Sequence, residues 1–180
     1  MLTEIDILKD VIKKFETLGI QYMLTGSMAM TYYAQPRMTR DIDLVVEILP
    51  VMIERIEQIF KTDYYLSVDS IKAAVKNEFL FNLIHINSAV KIDCIVRKNQ
   101  KYRLVEFDRR NKIKVDDLEI FIVSIEDLII SKLLWAKDSH SEIQIKDVRN
   151  LLAKNYDKKY IELWAKELDI YELLAEIKND

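Results

Sequence analysis

Apolar positions fall into two rhythms along this chain. From Leu2 to Leu18 they recur at helical spacing, at Ile5, Leu8, Ile12 and Phe15, with Val11 and Leu18 widening the stripe and Gly19 placed to close the helix. That pattern predicts an amphipathic first helix. Tyr22 to Leu24 then reads as a short strand, Met28 to Ala34 as a short helix, Gln35-Pro36 as a break, and Ile42 to Glu47 as a second strand. Pro50 opens a helix with Val51, Ile53, Ile56, Ile59 and Phe60 on its apolar side, and Ile71 to Val75 predicts another short one. The runs Phe79 to Ile86 and Val90 to Val96, joined by Asn87-Ser88, predict a hairpin.

Between Tyr102 and Val123 the pattern is mixed. VEFDRRNKIKV reads as helix then strand, and LEIFIV as a strand by its β-branched and aromatic content. Ser124 with Asp127 three residues on is a helix-start pattern, continued by the face Leu128, Ile129, Leu133 and Leu134. Lys146 to Leu152, Tyr160 to Leu168 and Tyr171 to Ile177 contain neither Gly nor Pro and read as helices. The expectation is therefore an α+β chain, a mixed β-sheet flanked by helices over 1–123 followed by a small helical region over 124–180.

Composition narrows what such a fold is for. At 180 residues and 50% hydrophobic, the chain is long enough to bury a core of its own. A formal net charge of −3 argues against a broad basic surface for nucleic acid, although 27 Lys and Arg leave room for local patches. A single cysteine, Cys94, excludes an internal disulfide, and with two histidines there is no Cys/His cluster for zinc. Metal ligands, if present, are carboxylates. No apolar run reaches the ~18 residues of a membrane span, and the mixed, acidic N-terminus MLTEIDILKD does not resemble a leader, so a cytoplasmic protein is expected.

The chemistry is concentrated at three places. One of only two glycines, Gly26, stands between a predicted strand and a predicted helix and is followed by Ser27. Backbone N–H groups at such a helix start suit phosphate oxygens. Asp41 and Asp43, at i and i+2 on a strand, project from one face and can grip a cation together. Asp93, inside VKIDCIV, would supply a third carboxylate from a neighbouring strand. A carboxylate in such apolar company needs a cation or hydrogen bonds, and the plainer alternative is a partner such as Lys91 or Arg97. Cys94 faces away from Asp93 and reads as core; His85 is assigned no role. A lone D-x-D is weak evidence, and the convergence of the three features is what gives it weight.

GSMAM, TRDIDLVVE and VKIDCIV together resemble the nucleotidyltransferase superfamily that includes DNA polymerase beta, drug-modifying nucleotidyltransferases and toxin-type nucleotidyltransferases. The resemblance covers roughly the first 100 residues. It implies the nucleotidyltransferase fold, with Gly26 and Ser27 holding the triphosphate, Asp41 and Asp43 holding divalent metal, and Asp93 assisting the attacking hydroxyl and completing the metal site. Further on, SIEDLIISKLLWAKDSHSEIQIKDVRNLL looks like the later segment of abortive-infection and related toxin nucleotidyltransferases, which implies roles in nucleotide binding for Lys132 and Asp147.

The implied reaction moves a nucleoside monophosphate from a triphosphate such as ATP to a hydroxyl, with release of pyrophosphate. Its difficulty is charge on phosphate oxygens, which paired cations relieve. Magnesium, or manganese, prefers oxygen ligands and shares its shell with substrate phosphates. Arg37 and Arg40 are candidates for further phosphate contacts. Tyr32 and Tyr33 read as packing rather than as a face for a base. The acceptor is open among tRNA, protein and a small molecule, and a toxin implies an antitoxin partner. Two alternatives stand beside the toxin: a drug-modifying enzyme of the aminoglycoside or lincosamide kind, and a nucleotide-binding regulator without turnover.

Overall fold

The computed structural model of the chain describes residues 2–34 and 41–179. Among these, seven strands form one mixed sheet and nine α-helices surround it. Helix α1 (Glu4–Leu18) begins at a reciprocal cap in which the Thr3 hydroxyl accepts from the Asp6 N–H while the Asp6 carboxylate accepts from the Thr3 N–H, at 3.2 and 2.8 Å. It ends at Gly19 in the left-handed region, with φ +69°. Its buried face is Ile7, Leu8, Val11, Ile12, Phe15 and Leu18. Ile5, expected on that stripe, stays exposed in the first turn, at the edge of the face that Leu8 and Ile12 occupy.

Strand β1 (Gln21–Thr25) runs into helix α2 (Gly26–Tyr33), and strand β2 (Asp41–Glu47) returns antiparallel beside β1. The break expected at Gln35-Pro36, with Arg37 and Arg40, lies outside the described residues. Pro50–Met52 forms a 3₁₀ turn before α3 (Ile53–Phe60), which leaves Val51 exposed rather than on the sheet-facing side. A two-residue strand β3 (Tyr64–Tyr65) and helix α4 (Val68–Asn77) lead to the expected hairpin, β4 (Leu80–His85) against β5 (Lys91–Val96).

Helix α5 (Lys101–Asp108) is followed by a second hairpin, β6 (Asn111–Val115) and β7 (Leu118–Ile122), and then by α6 (Ile125–Ser139), α7 (Glu142–Leu152), α8 (Lys158–Glu167) and α9 (Tyr171–Asn179). The strand order is β3-β4-β5-β2-β1-β7-β6, with β2/β5 and β1/β7 parallel and the other pairs antiparallel. Parallel pairing of β1 with β7 delivers α6 directly beside α2. The Tyr33 hydroxyl fastens that arrangement by donating to the Val123 carbonyl at 2.7 Å.

The central strands carry two different faces. Ile42, Leu44 and Val46 of β2 and Ile92, Cys94 and Val96 of β5 are buried in the core. The alternate positions, Asp41, Asp43 and Val45 with Asp93 and Ile95, form the opposite face. Helix α6 is secured by a fully buried carboxylate, Asp127. It accepts from the hydroxyls of Tyr102, Tyr160 and Ser124 and from Arg109 Nε, at 3.2, 2.7, 2.6 and 3.2 Å. Four donors satisfy an ion that would otherwise be costly to bury.

Candidate active site

Strand register brings the chemistry into one row. Thr25 of β1 faces Asp43 of β2, Asp43 faces Asp93 of β5, and Asp93 faces Asn82 of β4. Asp41 stands two residues before Asp43 on the same face, opposite Lys91. The two carboxylates of β2 and the distant one of β5 therefore share one patch of sheet.

Gly26 sits against this row at φ +65°, and a Cβ built there would fall 2.6 Å from Asp43 Cγ. Both the backbone angle and the close approach require a residue without a side chain. Ser27, one step into α2, is buried and turns its backbone N–H to the Asp43 carboxylate. The helix start thus points the Ser27 N–H at the carboxylate patch.

Asp43 titrates unusually. Burial first, then the neighbouring charges of Asp93 and Asp41, push its pKa up to about 6, against the opposing pull of the Ser27 N–H and of Lys132. A divalent cation would relieve this repulsion, so the carboxylate chemistry fits a metal. Asp93 accepts from the Asn82 amide and from Lys91 Nζ, the latter at 3.0 Å, and Lys91 stands 3.8 Å from Asp41. The plainer alternative for Asp93, a lysine partner, is thus realised alongside its place in the row. Among the described residues no three His, Cys, Asp or Glu side chains converge as a ready cage. Magnesium needs no such cage, since one or two carboxylates and the phosphates of the substrate suffice.

Lys132 and Asp147 form a second buried element. Lys132 Nζ donates to Asp147 Oδ2 at 2.7 Å and to Gln144 Oε1 at 3.1 Å, with both charged side chains 4% exposed. Lys132 and Asp43 line the same cavity of about 310 Å³. Its floor is Val45 and Ile95, and α6 closes it with Leu128, Ser131 and Trp135. Tyr32 is exposed and stacks edge-on against the anchored Tyr33, so packing explains the second tyrosine better than the first.

Residues 10–149, more than half of the chain, match the family described as the nucleotidyl transferase AbiEii toxin of type IV toxin–antitoxin systems. The chain belongs to the AbiEii nucleotidyltransferase toxin family. Its chemistry is accordingly nucleotidyl transfer, in a family of toxin–antitoxin type.

Solved structures agree with the fold of this AbiEii-family chain. The antibiotic-resistance factor ANT(2'')-Ia in solution is similar at TM-score 0.61 and 13% identity, over 96% of this chain and 95% of that one. An antigenic nucleotidyltransferase-like protein from Paracoccidioides brasiliensis gives 0.57 at 17%, over 83% and 76%. The lincosamide antibiotic adenylyltransferase LnuA with lincomycin bound gives 0.53 at 17%, over 80% and 93%. A search of curated proteins gave no match. No helix among the described residues of the AbiEii-family chain is long and apolar enough to cross a membrane.

The expected residues Gly26, Ser27, Asp41, Asp43 and Asp93 meet at this patch, and Lys132 and Asp147 meet beside it; Arg40 lies outside the described residues. Sequence reasoning missed Arg103, Glu106 and Ser131, which line the far part of the cavity. Arg103 Nη1 donates to Glu106 Oε2 at 2.8 Å and to Ser131 Oγ at 2.7 Å, and Ser131 Oγ donates to Glu106 Oε1 at 2.6 Å. Glu106 is buried, and burial raises its pKa against the opposing pull of Arg103. The i, i+3 spacing of Arg103 and Glu106 was the only available signal, and it is common on solvated helices.

Proposed function

We propose that the chain transfers a nucleoside monophosphate from a nucleoside triphosphate to a hydroxyl acceptor with divalent metal, as the toxin of a toxin–antitoxin pair. The observation that carries this reading is the single row Thr25, Asp43, Asp93, with the Gly26-Ser27 helix start pressed against Asp43. A carboxylate patch, a phosphate-binding helix start and a buried lysine in one cavity are what attack at the α-phosphorus requires.

In this reading the backbone N–H groups at the start of α2 hold triphosphate oxygens, and Lys132, oriented by Asp147, adds a positive charge from the helical side. Asp41 and Asp43, with Asp93 beside them, would hold magnesium or manganese, which when bound neutralises charge on the α-phosphate and the departing pyrophosphate. Asp93 accepts or positions the proton of the acceptor hydroxyl. The acceptor oxygen bonds to the α-phosphorus, the bond to the bridging oxygen of the β-phosphate breaks, and pyrophosphate leaves. General-base help of this kind contributes ~10²- to 10⁴-fold.

The test is a split between two variants in metal-dependent nucleotide binding and pyrophosphate release. Asp93→Asn should keep binding and lose most turnover, and Gly26→Ala, whose methyl pushes the helix start off Asp43, should weaken binding. Acceptors to supply are total tRNA, a bacterial lysate, and aminoglycoside and lincosamide drugs. Transfer only to a drug would move the chain to the drug-modifying reading. Folded wild type that binds nucleotide with metal and transfers to nothing would make it a regulator.

A further inference from the structure

Asn82 is out of place on its strand. Strands are depleted of asparagine, yet this one stands inside β4 between the buried Phe81 and Leu83, with its own side chain exposed. Register gives it a purpose. Asn82 lies directly opposite Asp93 in the antiparallel β4/β5 pair, where facing Cβ atoms are about 4.5–5.5 Å apart. Its amide donates to Asp93 Oδ1, and its side chain has no other hydrogen bond among the described residues. The two oxygens of Asp93 are therefore held differently. Oδ2 is 3.0 Å from Lys91 Nζ, an ammonium that also stands 3.8 Å from Asp41. A divalent cation on the β2 carboxylates would repel that ammonium, so the Oδ2 contact is exchangeable. Asn82 carries no charge and approaches from β4, on the side of β5 away from β2, so its bond to Oδ1 survives the exchange.

We infer that Asn82 is a positioning residue for nucleotidyl transfer: it fixes Asp93 through Oδ1 and leaves Oδ2 as the oxygen that meets the acceptor hydroxyl. The inference rests on the transfer reading above and adds a residue that reading does not use. As the acceptor oxygen bonds to the α-phosphorus, its proton passes to Oδ2. The bond from phosphorus to the bridging oxygen breaks, and pyrophosphate leaves with that electron pair. An aspartate side chain turns about two bonds, and most settings take Oδ2 out of line with the acceptor. The bond to Oδ1 removes that freedom before the reaction begins. A neutral amide is suited to the task. A lysine opposite Asp93 would pair with the carboxylate and weaken it as a base, and an aspartate there would offer no donor and add a fourth negative charge to the patch.

Pyrophosphate release at saturating triphosphate, with magnesium and the acceptors named above, tests this together with the side-chain amide spectrum of nitrogen-15-labelled protein. Asn82→Leu should slow release by about ten- to a hundredfold, as for other residues that orient a reacting group, and leave the triphosphate KM within about twofold of wild type. Asn82→Asp, which keeps the shape and replaces the donor with a charge, should be slowed at least as much. Asn82→Gln, which keeps a neutral amide, should recover most of the rate. Because Asn82 is exposed, the thermal midpoints of all three should stay close to that of wild type. In the spectrum, one Asn82 amide proton, assigned by its absence from Asn82→Leu, should lie downfield, exchange slowly, and stay so when magnesium is added. A loss in Asn82→Leu smaller than about tenfold overturns the inference. So does a loss matched by a rise in KM, or an Asn82→Gln as slow as Asn82→Leu. An amide proton that magnesium releases to water overturns it on wild type alone. Wild type that moves no nucleotide to any acceptor defeats the transfer reading and the inference with it, whereas an active wild type beside an equally active Asn82→Leu defeats the inference only.

Discussion

Gly26 and Asp43 touch so closely that no side chain fits between them. The glycine holds φ +65°, and its missing Cβ leaves the space that the Asp43 carboxyl fills. Gly26→Ala therefore acts twice, through a left-handed angle costing about 1 kcal/mol and through a collision with the carboxylate. The expected outcome is a lower thermal midpoint together with loss of magnesium-dependent triphosphate binding. Differential scanning calorimetry and nucleotide titration on the same preparation check both.

Asp43 makes the metal-free protein sensitive to pH. Its folded pKa, about 6, lies above its ordinary value of 3.8. The proton is bound more tightly in the folded chain, so this contribution is fully present below about pH 4 and is lost as pH rises through 6. Asp43→Asn removes the repulsion. In EDTA at pH 8 the variant should be more stable than wild type by on the order of 2 kcal/mol, with the gap closing by pH 4. Urea denaturation across that range measures it.

Much of this site was legible because its determinants are local. Gly26 had to be a turn, the D-x-D spacing fixed which face Asp41 and Asp43 share, and the apolar alternation around Asp93 placed it on a strand. The Ser124 cap is likewise written in three residues, and the Ser124 side chain accepts from the Asp127 N–H. The β6/β7 hairpin was harder. Its turn is Asp116-Asp117 with Asp116 at φ +52° and no glycine, and β6 lies at the sheet edge with polar residues on its exposed side. Glu106 was invisible for another reason: in the charged run VEFDRR it reads as a solvated residue, and its burial depends on Ser131, 25 positions away.

The Lys132–Asp147 pair belongs to tertiary structure too, and its buried charges make it fragile. Asp147→Asn leaves the ammonium with weaker acceptors in a site 4% exposed. Breaking such a pair costs about 3 to 5 kcal/mol. Chemical denaturation should show a loss of that order, and nucleotide affinity should fall with it. Lys132→Met breaks the same pair from the other side and leaves the Asp147 carboxylate buried, so it should cost stability of the same order and lower nucleotide affinity as well.

Lys91 stands where metal and protein compete for the same carboxylates, 3.0 Å from Asp93 and 3.8 Å from Asp41. Lys91→Met should tighten manganese binding by about two- to fivefold, as expected for a partly exposed ion pair. Electron paramagnetic titration of manganese at low ionic strength reads this directly. Weaker binding in the variant would mean that Lys91 organises the carboxylates rather than opposing the metal.

Transfer of the α-phosphate at the Asp43 row is tested most directly by incubating the protein and magnesium with each nucleoside triphosphate labelled at either the α- or the γ-phosphate, in the presence of tRNA, lysate and candidate drugs. The expected result is that α-label moves to an acceptor, that γ-label emerges as pyrophosphate, and that folded Asp43→Asn does neither. Movement of γ-label to the acceptor, or α-label transfer by Asp43→Asn at the wild-type rate, would contradict it.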